Sequence, residues 1–166
     1  AVSNPPRFKD ALEVLARHDV ELIVVGGVAA VIGGAPIATF DLDVVHARHA
    51  ANLARLQAAL DELEARHRDP AGRRLRPDAR ALAGTGHHLL LTRCGPVDLL
   101  GAIGRGRGYE DLLPDAVAVD LGGVTVHVLG LAALIRTKEE AGRDKDRAVL
   151  ELLRQALRGS TPPGRQ

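Results

Sequence analysis

The chain has 166 residues, 22 of them basic and 21 acidic, and a formal net charge of +1, so overall charge does not argue for a polyanionic partner. One cysteine, Cys94, excludes a disulfide framework and a cysteine-based zinc site, and an aromatic content of 2% leaves the core to Ala, Leu and Val. The length makes one domain over residues 1–158 the expectation, with a disordered tail over residues 159–166. No run approaches the roughly 18 apolar residues of a membrane-spanning helix. The opening "AVSNPPRFKD" carries no apolar signal-peptide core, and its missing initiator Met suggests a processed or trimmed start. A cytoplasmic protein that makes no use of a membrane is the expectation.

In chain order, Phe8, Leu12, Leu15 and Ala16 recur at helical spacing and predict a helix over residues 7–18. "ELIVV" is a short apolar run that ends in Gly26-Gly27 and reads as a buried strand. "VAAVIGG" follows as a short helix closing on Gly33-Gly34. "ATFDLDVVHA" reads as a second strand. Leu53, Leu56, Leu60 and Leu63 form the buried stripe of an amphipathic helix over residues 49–67. Residues 68–86 are polar and rich in Arg, Pro and Gly, and read as a long irregular loop. "HHLLLTR" and "VDLL" flank the tight "CGP" and predict a hairpin. "VAVDLGGVTVHVL", with Gly122-Gly123 at its centre, predicts another. Two helices follow, "GLAALIRTKEEAGR" and "DKDRAVLELLRQALR". Strands and helices mixed with hairpins give an α+β class with a mixed β-sheet flanked by helices.

The chemistry sits in "VVGGVAAVIGGAPIATFDLDVV". Asp41 and Asp43 are two residues apart, so a strand points both to one face. Like charges that close repel, and burial sharpens the repulsion. A divalent cation between them relieves it, because Mg²⁺ takes carboxylate oxygens together with substrate phosphates. The alternative is an exposed strand end on which one Asp caps a turn. The strand before ends in Gly26-Gly27 and opens into a helix, a place where backbone can approach phosphate. A third acid, Asp98, stands inside the apolar "PVDLL", where an unpaired carboxylate demands an explanation. If its strand lies beside that of Asp41 and Asp43, three carboxylates converge. Two could then hold a metal, and the third could serve a second metal or act as base.

These residues resemble the signature of the nucleotidyltransferase superfamily, the fold of DNA polymerase beta. That signature is a strand, a glycine pair, a short helix, and acidic-hydrophobic-acidic on the next strand. Gly26, Gly27, Asp41 and Asp43 match it, and Asp98 matches the usual third carboxylate. The glycine-pair segment and "VHVLGLAALIRTKEEAGRDKDRAVLELL" are also similar to small bacterial nucleotidyltransferases of the group associated with AbiEii-type toxins. There a Lys in the penultimate helix and a following Lys-Asp pair recur, here Lys138, Lys145 and Asp146. The resemblance implies a nucleotidyltransferase-like sheet and Mg²⁺- or Mn²⁺-dependent transfer of NMP from an NTP such as ATP to an acceptor hydroxyl. It implies Asp41, Asp43 and Asp98 as catalytic and metal-binding residues. Gly26, Gly27, Thr39, Lys138 and Lys145 would contact nucleotide, Thr39 more through steadying the turn. The implied setting is a toxin–antitoxin pair, with a cognate antitoxin and an RNA or tRNA acceptor. A protein or small-molecule acceptor, or a non-catalytic regulatory partner, stays open. Ile37 and Ala38 stand where many relatives carry a basic residue, and Phe40 where a polar one is common.

Beyond the motif, residues 66–80 hold six Arg and one His against Asp69 and Asp78, which makes either a local anion surface or a solvated loop. Two of the three lysines, Lys138 and Lys145, fall in the terminal helices, where a phosphate role competes with plain surface placement. Arg143 is open to the same two readings, and Asp146 reads as an ion-pair partner. His87, His88 and Cys94 are weak metal candidates. His46 and His127 read as strand-end residues. "GRGRG", Gly104 to Gly108, lacks a strand-turn-helix setting and reads as a basic, mobile loop.

Overall fold

The computed structural model describes residues 6–160. The chain start and residues 161–166 of the expected tail lie outside the described residues, while Gly159 and Ser160 close the last helix. Fourteen strands and α-helices follow one another: α1 (Phe8–Arg17), β1 (Leu22–Val25), α2 (Gly26–Ile32), β2 (Leu42–His46), α3 (Ala50–Glu62), β3 (Arg66–His67), α4 (Ala79–Leu82), β4 (His87–Thr92), β5 (Gly95–Leu100), α5 (Tyr109–Leu112), β6 (Ala116–Asp120), β7 (Thr125–Leu129), α6 (Leu131–Ala141) and α7 (Arg147–Ser160). No helix among the described residues is long and apolar enough to cross a membrane.

The strands form one mixed sheet in the order β3-β4-β5-β2-β1-β7-β6. β2 lies parallel to β5 and β1 parallel to β7; the other neighbours are antiparallel. Both expected hairpins form, β4 with β5 and β6 with β7. β1 is buried along its whole length, as its unbroken apolar run requires of a central strand covered on both faces. Leu53, Leu56, Ala59 and Leu60 bury the inner stripe of α3, and each fully buried Leu contributes about 1.5–3 kcal/mol. Asn52 anchors that helix. Its amide donates to the carbonyls of Ala47 (2.7 Å) and Glu21 (3.0 Å), and its oxygen accepts from the Glu21 N–H (2.7 Å).

Three boundaries differ from expectation. The helix expected over residues 49–67 ends at Glu62, because Glu64 turns to φ 54° and sends Arg66 and His67 into pairing with Leu91 and Leu90. Pairing at the sheet edge is long-range, and helical periodicity cannot see it. The long loop contains the short helix α4, begun by Asp78, whose carboxylate accepts from the Arg80 N–H (2.8 Å). Finally, the strand expected from Ala38 onwards joins the ladder only at Leu42, so Asp41 stands one residue outside it.

Candidate active site

Register decides what faces what. Val25 of β1 pairs with Asp43 of β2, Asp43 with Asp98 of β5, and Asp98 with Leu89 of β4. One row of side chains thus crosses four strands with two carboxylates side by side at its middle. The next row on that face is Ile23, Val45, Leu100 and His87. Arg68 extends the first row beyond the sheet edge, since its N–H donates to Leu89 O (3.0 Å). Its guanidinium reaches back across β4: Nη2 donates to Asp98 Oδ1, and Nη1 lies 3.8 Å from Asp41 Oδ1.

Strand pairing therefore puts Asp43 and Asp98 on one face, and Asp41, one residue outside β2, meets them through Arg68. The three acids differ in exposure. The Asp41 side chain is 44% exposed and the Asp98 side chain 12%. Asp43 Oδ1 is buried without a hydrogen-bond partner among the described residues. Burial, and then the charge of Asp41, push the Asp43 carboxyl up to about 6 against the pull of Lys138, Arg68 and His87.

A cavity of about 470 Å³ opens over this row. Asp43, Asp98 and Gly26 line it together with Lys138, Arg143 and Lys145. α6 supplies Lys138, and the turn after it supplies the other two cations. Gly142 makes that turn possible, because it caps α6 at φ 63°. Asp146 lies 3.7 Å from Lys138 and is an ion-pair partner, as its position in the sequence suggested. An anionic ligand in the cavity would meet carboxylates and cations together, the mix of charges that a metal-chelated polyphosphate needs.

The glycine pair has a steric reason. Gly26 sits at φ 63°, and a Cβ there would collide with the Asp43 carboxylate. A Cβ on Gly27 would come within 2.8 Å of Thr39 Cβ. Gly26 lines the cavity; Gly27 instead lets the segment before β2 close on the turn, and Thr39 Oγ1 donates to Asp41 O (3.2 Å). Thr39 thus orients the backbone that carries Asp41.

The weak metal candidates do not meet. His87 faces the cavity with Nε2 3.0 Å from Ala102 O, His88 sits on the other face beside His67, and Cys94 is buried in the turn at the far end of the hairpin. Among the described residues no three His, Cys, Asp or Glu side chains are drawn together closely enough to hold a metal ion. Chemically the carboxylate row still suits a hard divalent cation: its donors are all oxygen, and one is buried and unpartnered. The "GRGRG" loop is tied at one end, with reciprocal Ile103–Arg107 backbone bonds (2.9 and 2.8 Å) and Arg107 Nε donating to Glu140 (2.7 Å). The basic stretch contributes Arg66, Arg74 and Arg76 to a second cavity of about 540 Å³ beyond Leu91, which Asp61 and Glu64 also line. His46 is buried, with Nε2 2.8 Å from Leu82 O, and burial lowers its proton affinity. Sequence reasoning missed Arg68 as a member of the site. Its signal was the β4 register, which becomes readable only once the two-residue β3 is known.

The sheet order and flanking helices make an α+β fold with a mixed sheet, and solved structures described as nucleotidyltransferases share it. The chain is similar to a Thermotoga maritima protein described as a nucleotidyltransferase, at 16% identity over 92% of this chain and 91% of that one, with TM-score 0.57. It is likewise similar to ANT(2″)-Ia, solved in complex with adenylyl-2″-tobramycin, at 13% identity over 93% and 87%, with TM-score 0.58. Identities this low speak to the fold. No family model matches the chain, and no curated protein matches its sequence.

Proposed function

We propose that this protein is a nucleotidyltransferase that moves an NMP from an NTP to an acceptor hydroxyl. The observation that carries the reading is Asp43: a buried carboxylate oxygen without a partner among the described residues, in register with Asp98, in a cavity of about 470 Å³ that Lys138 also lines. Asp41, Asp43 and Asp98 would hold Mg²⁺ or Mn²⁺. When bound, such an ion supplies charge neutralisation at the phosphoryl oxygens. Lys138 and Lys145, joined by Arg143, bind the triphosphate as point charges and hold its β and γ groups in line for departure. Gly26 keeps the strand-to-helix turn bare, so that phosphate can lie against backbone. Asp98 takes the acceptor hydroxyl proton on a carboxylate oxygen. The acceptor oxygen then bonds the α-phosphorus, the bond from that phosphorus to the α–β bridging oxygen breaks, and pyrophosphate leaves.

The finer reading is a cytoplasmic toxin of a toxin–antitoxin pair, acting on RNA such as a tRNA end and restrained by a cognate antitoxin. The resemblance of "GGVAAVIGGAPIATFDLDVV" and of the terminal helices to the AbiEii-associated group supports it, as do Arg66, Arg74 and Arg76 beyond the carboxylate row. A second reading, nucleotidylation of a small molecule, is favoured by the likeness in fold to ANT(2″)-Ia. A regulatory protein that binds nucleotide without turnover is the third.

α-Labelled ATP, Mg²⁺ and separate RNA, protein and aminoglycoside acceptors decide among them. Label entering RNA supports the toxin reading, and label entering an aminoglycoside supports the second. Mg²⁺-dependent ATP binding without transfer supports the third. ATP binding that survives Asp41→Asn with Asp43→Asn unchanged overturns the site.

A further inference from the structure

We propose that Arg68 is an internal counter-ion of the carboxylate row, which occupies the cation position at rest and must leave it when a divalent cation binds. This rests on the nucleotidyltransferase reading and adds a residue to its site. The placement of Arg68 comes from the backbone: the β3–β4 pairing of Arg66 with Leu91 and His67 with Leu90 puts residue 68 opposite Leu89, in line with Asp98 and Asp43. From there one guanidinium spans two carboxylates, bonding Asp98 and lying 3.8 Å from Asp41. It stabilises an array of like charges that would otherwise repel. It does not complete the array, since Asp43 Oδ1 stays buried and without a partner among the described residues. Arg68 thus leaves one oxygen of the row for another cation.

The same geometry excludes a shared occupancy. Asp41 and Asp98 cannot bring oxygens onto one metal ion while a guanidinium lies between them, and two cations at that spacing repel. This accounts for three neighbouring acids that do not form a metal-binding group. Release is mechanically easy. Arg68 sits on the edge of the sheet, just past a two-residue strand, and its neighbour Asp69 closes an independent turn by accepting from the N–H groups of Ala71 (3.1 Å) and Arg73 (3.2 Å). The guanidinium can therefore swing out without disturbing β4 or β5. The handover favours the loaded state only when a doubly charged ion replaces a singly charged one, which biases the site toward a complete metal–nucleotide substrate over metal-free nucleotide.

The test is Mn²⁺ uptake by the full chain without nucleotide, read by electron paramagnetic resonance, for the parent, Arg68→Gln and Arg68→Lys. Arg68→Gln should bind Mn²⁺ about tenfold more tightly than the parent, and Arg68→Lys should fall between them. Limited trypsin digestion of the parent gives a second readout that needs no variant: Mn²⁺ should speed cleavage after Arg68. Equal or weaker Mn²⁺ binding by Arg68→Gln, or a tryptic pattern that ignores Mn²⁺, overturns the proposal. Label transfer from ATP, measured in parallel on the parent, decides the nucleotidyltransferase reading separately: transfer without these Arg68 effects removes the counter-ion and leaves the enzyme.

Discussion

Glu140 and Asp43 are two carboxylates of one neighbourhood that the protein treats in opposite ways. Glu140, on α6, lies against Gly104 at the cavity rim and accepts two bonds from Arg107 Nε, which hold its carboxyl below the usual range. Asp43, on β2, has a buried oxygen with no donor among the described residues, and its carboxyl is pushed up to about 6. The first charge is stabilised by the fold. The second is tolerated by it, and a group tolerated at that expense is a candidate for chemistry rather than packing. The difference teaches where to cut: removing the charge of Glu140 should harm the fold, while removing that of Asp43 should help the fold and harm the site.

The largest effect expected is on transfer. Asp43→Asn keeps the shape of the side chain and removes its charge, and should lower nucleotidyl transfer at least about a thousandfold, comparable to losing a charge-stabilising group in other active sites. Transfer within tenfold of the parent breaks the comparison at its functional end. Gly26→Ala comes next. Its Cβ would strike the Asp43 carboxylate at a positive φ, so a loss of about 2–4 kcal/mol is expected in urea unfolding. Gly26→Ala combined with Asp43→Ala should recover part of that loss, because the obstructing group is gone.

Stability against pH sharpens the contrast further. The folded Asp43 carboxyl titrates near 6 against an ordinary 3.8, so the folded chain holds this proton more tightly than the unfolded chain. The stabilising share is present below 3.8 and is lost as pH rises through 6. Asp43→Asn should accordingly be more stable than the parent at pH 7.5, by about 1–3 kcal/mol, and the gap should close toward pH 4. Glu140 runs the other way. Its carboxyl is lowered, so its contribution is present above 4.5 and lost as acid protonates it. Glu140→Gln should lower Tm slightly at pH 7.5, with the deficit shrinking in acid. This is the smallest effect, and an Asp43→Asn Tm below that of Glu140→Gln at pH 7.5 reverses the comparison.

Much of this site was legible in the chain itself. The two-residue spacing in "FDLDVV" predicts Asp41 and Asp43 as neighbours, because side-chain direction in a strand is local, and the charge of Asp41 does act on Asp43 although Asp41 stands one residue outside β2. "VDLL" marks Asp98 as an acid in an apolar run, and "HHLLLTRCGPVDLL" sets its hairpin. The glycine pair read correctly as a strand-to-helix turn. The sequence did not reveal that its two members serve different neighbours, Gly26 making room for Asp43 and Gly27 for Thr39. That depends on how closely β2 approaches the turn.

Local sequence therefore determined which residues carry charge, which of them share a face, and where helices and hairpins begin, since these follow from periods of two and 3.6 residues and from turn chemistry. Tertiary structure decided the rest. The parallel pairing of β2 with β5 brings Asp98 beside Asp43 across more than fifty residues of chain, and no local pattern encodes strand order. The return of α6 over the sheet brings Lys138 into the cavity with them. The two-residue β3 puts Arg68 between Asp41 and Asp98, so a residue that reads as one of six arginines in a polar loop becomes the cation of the carboxylate row.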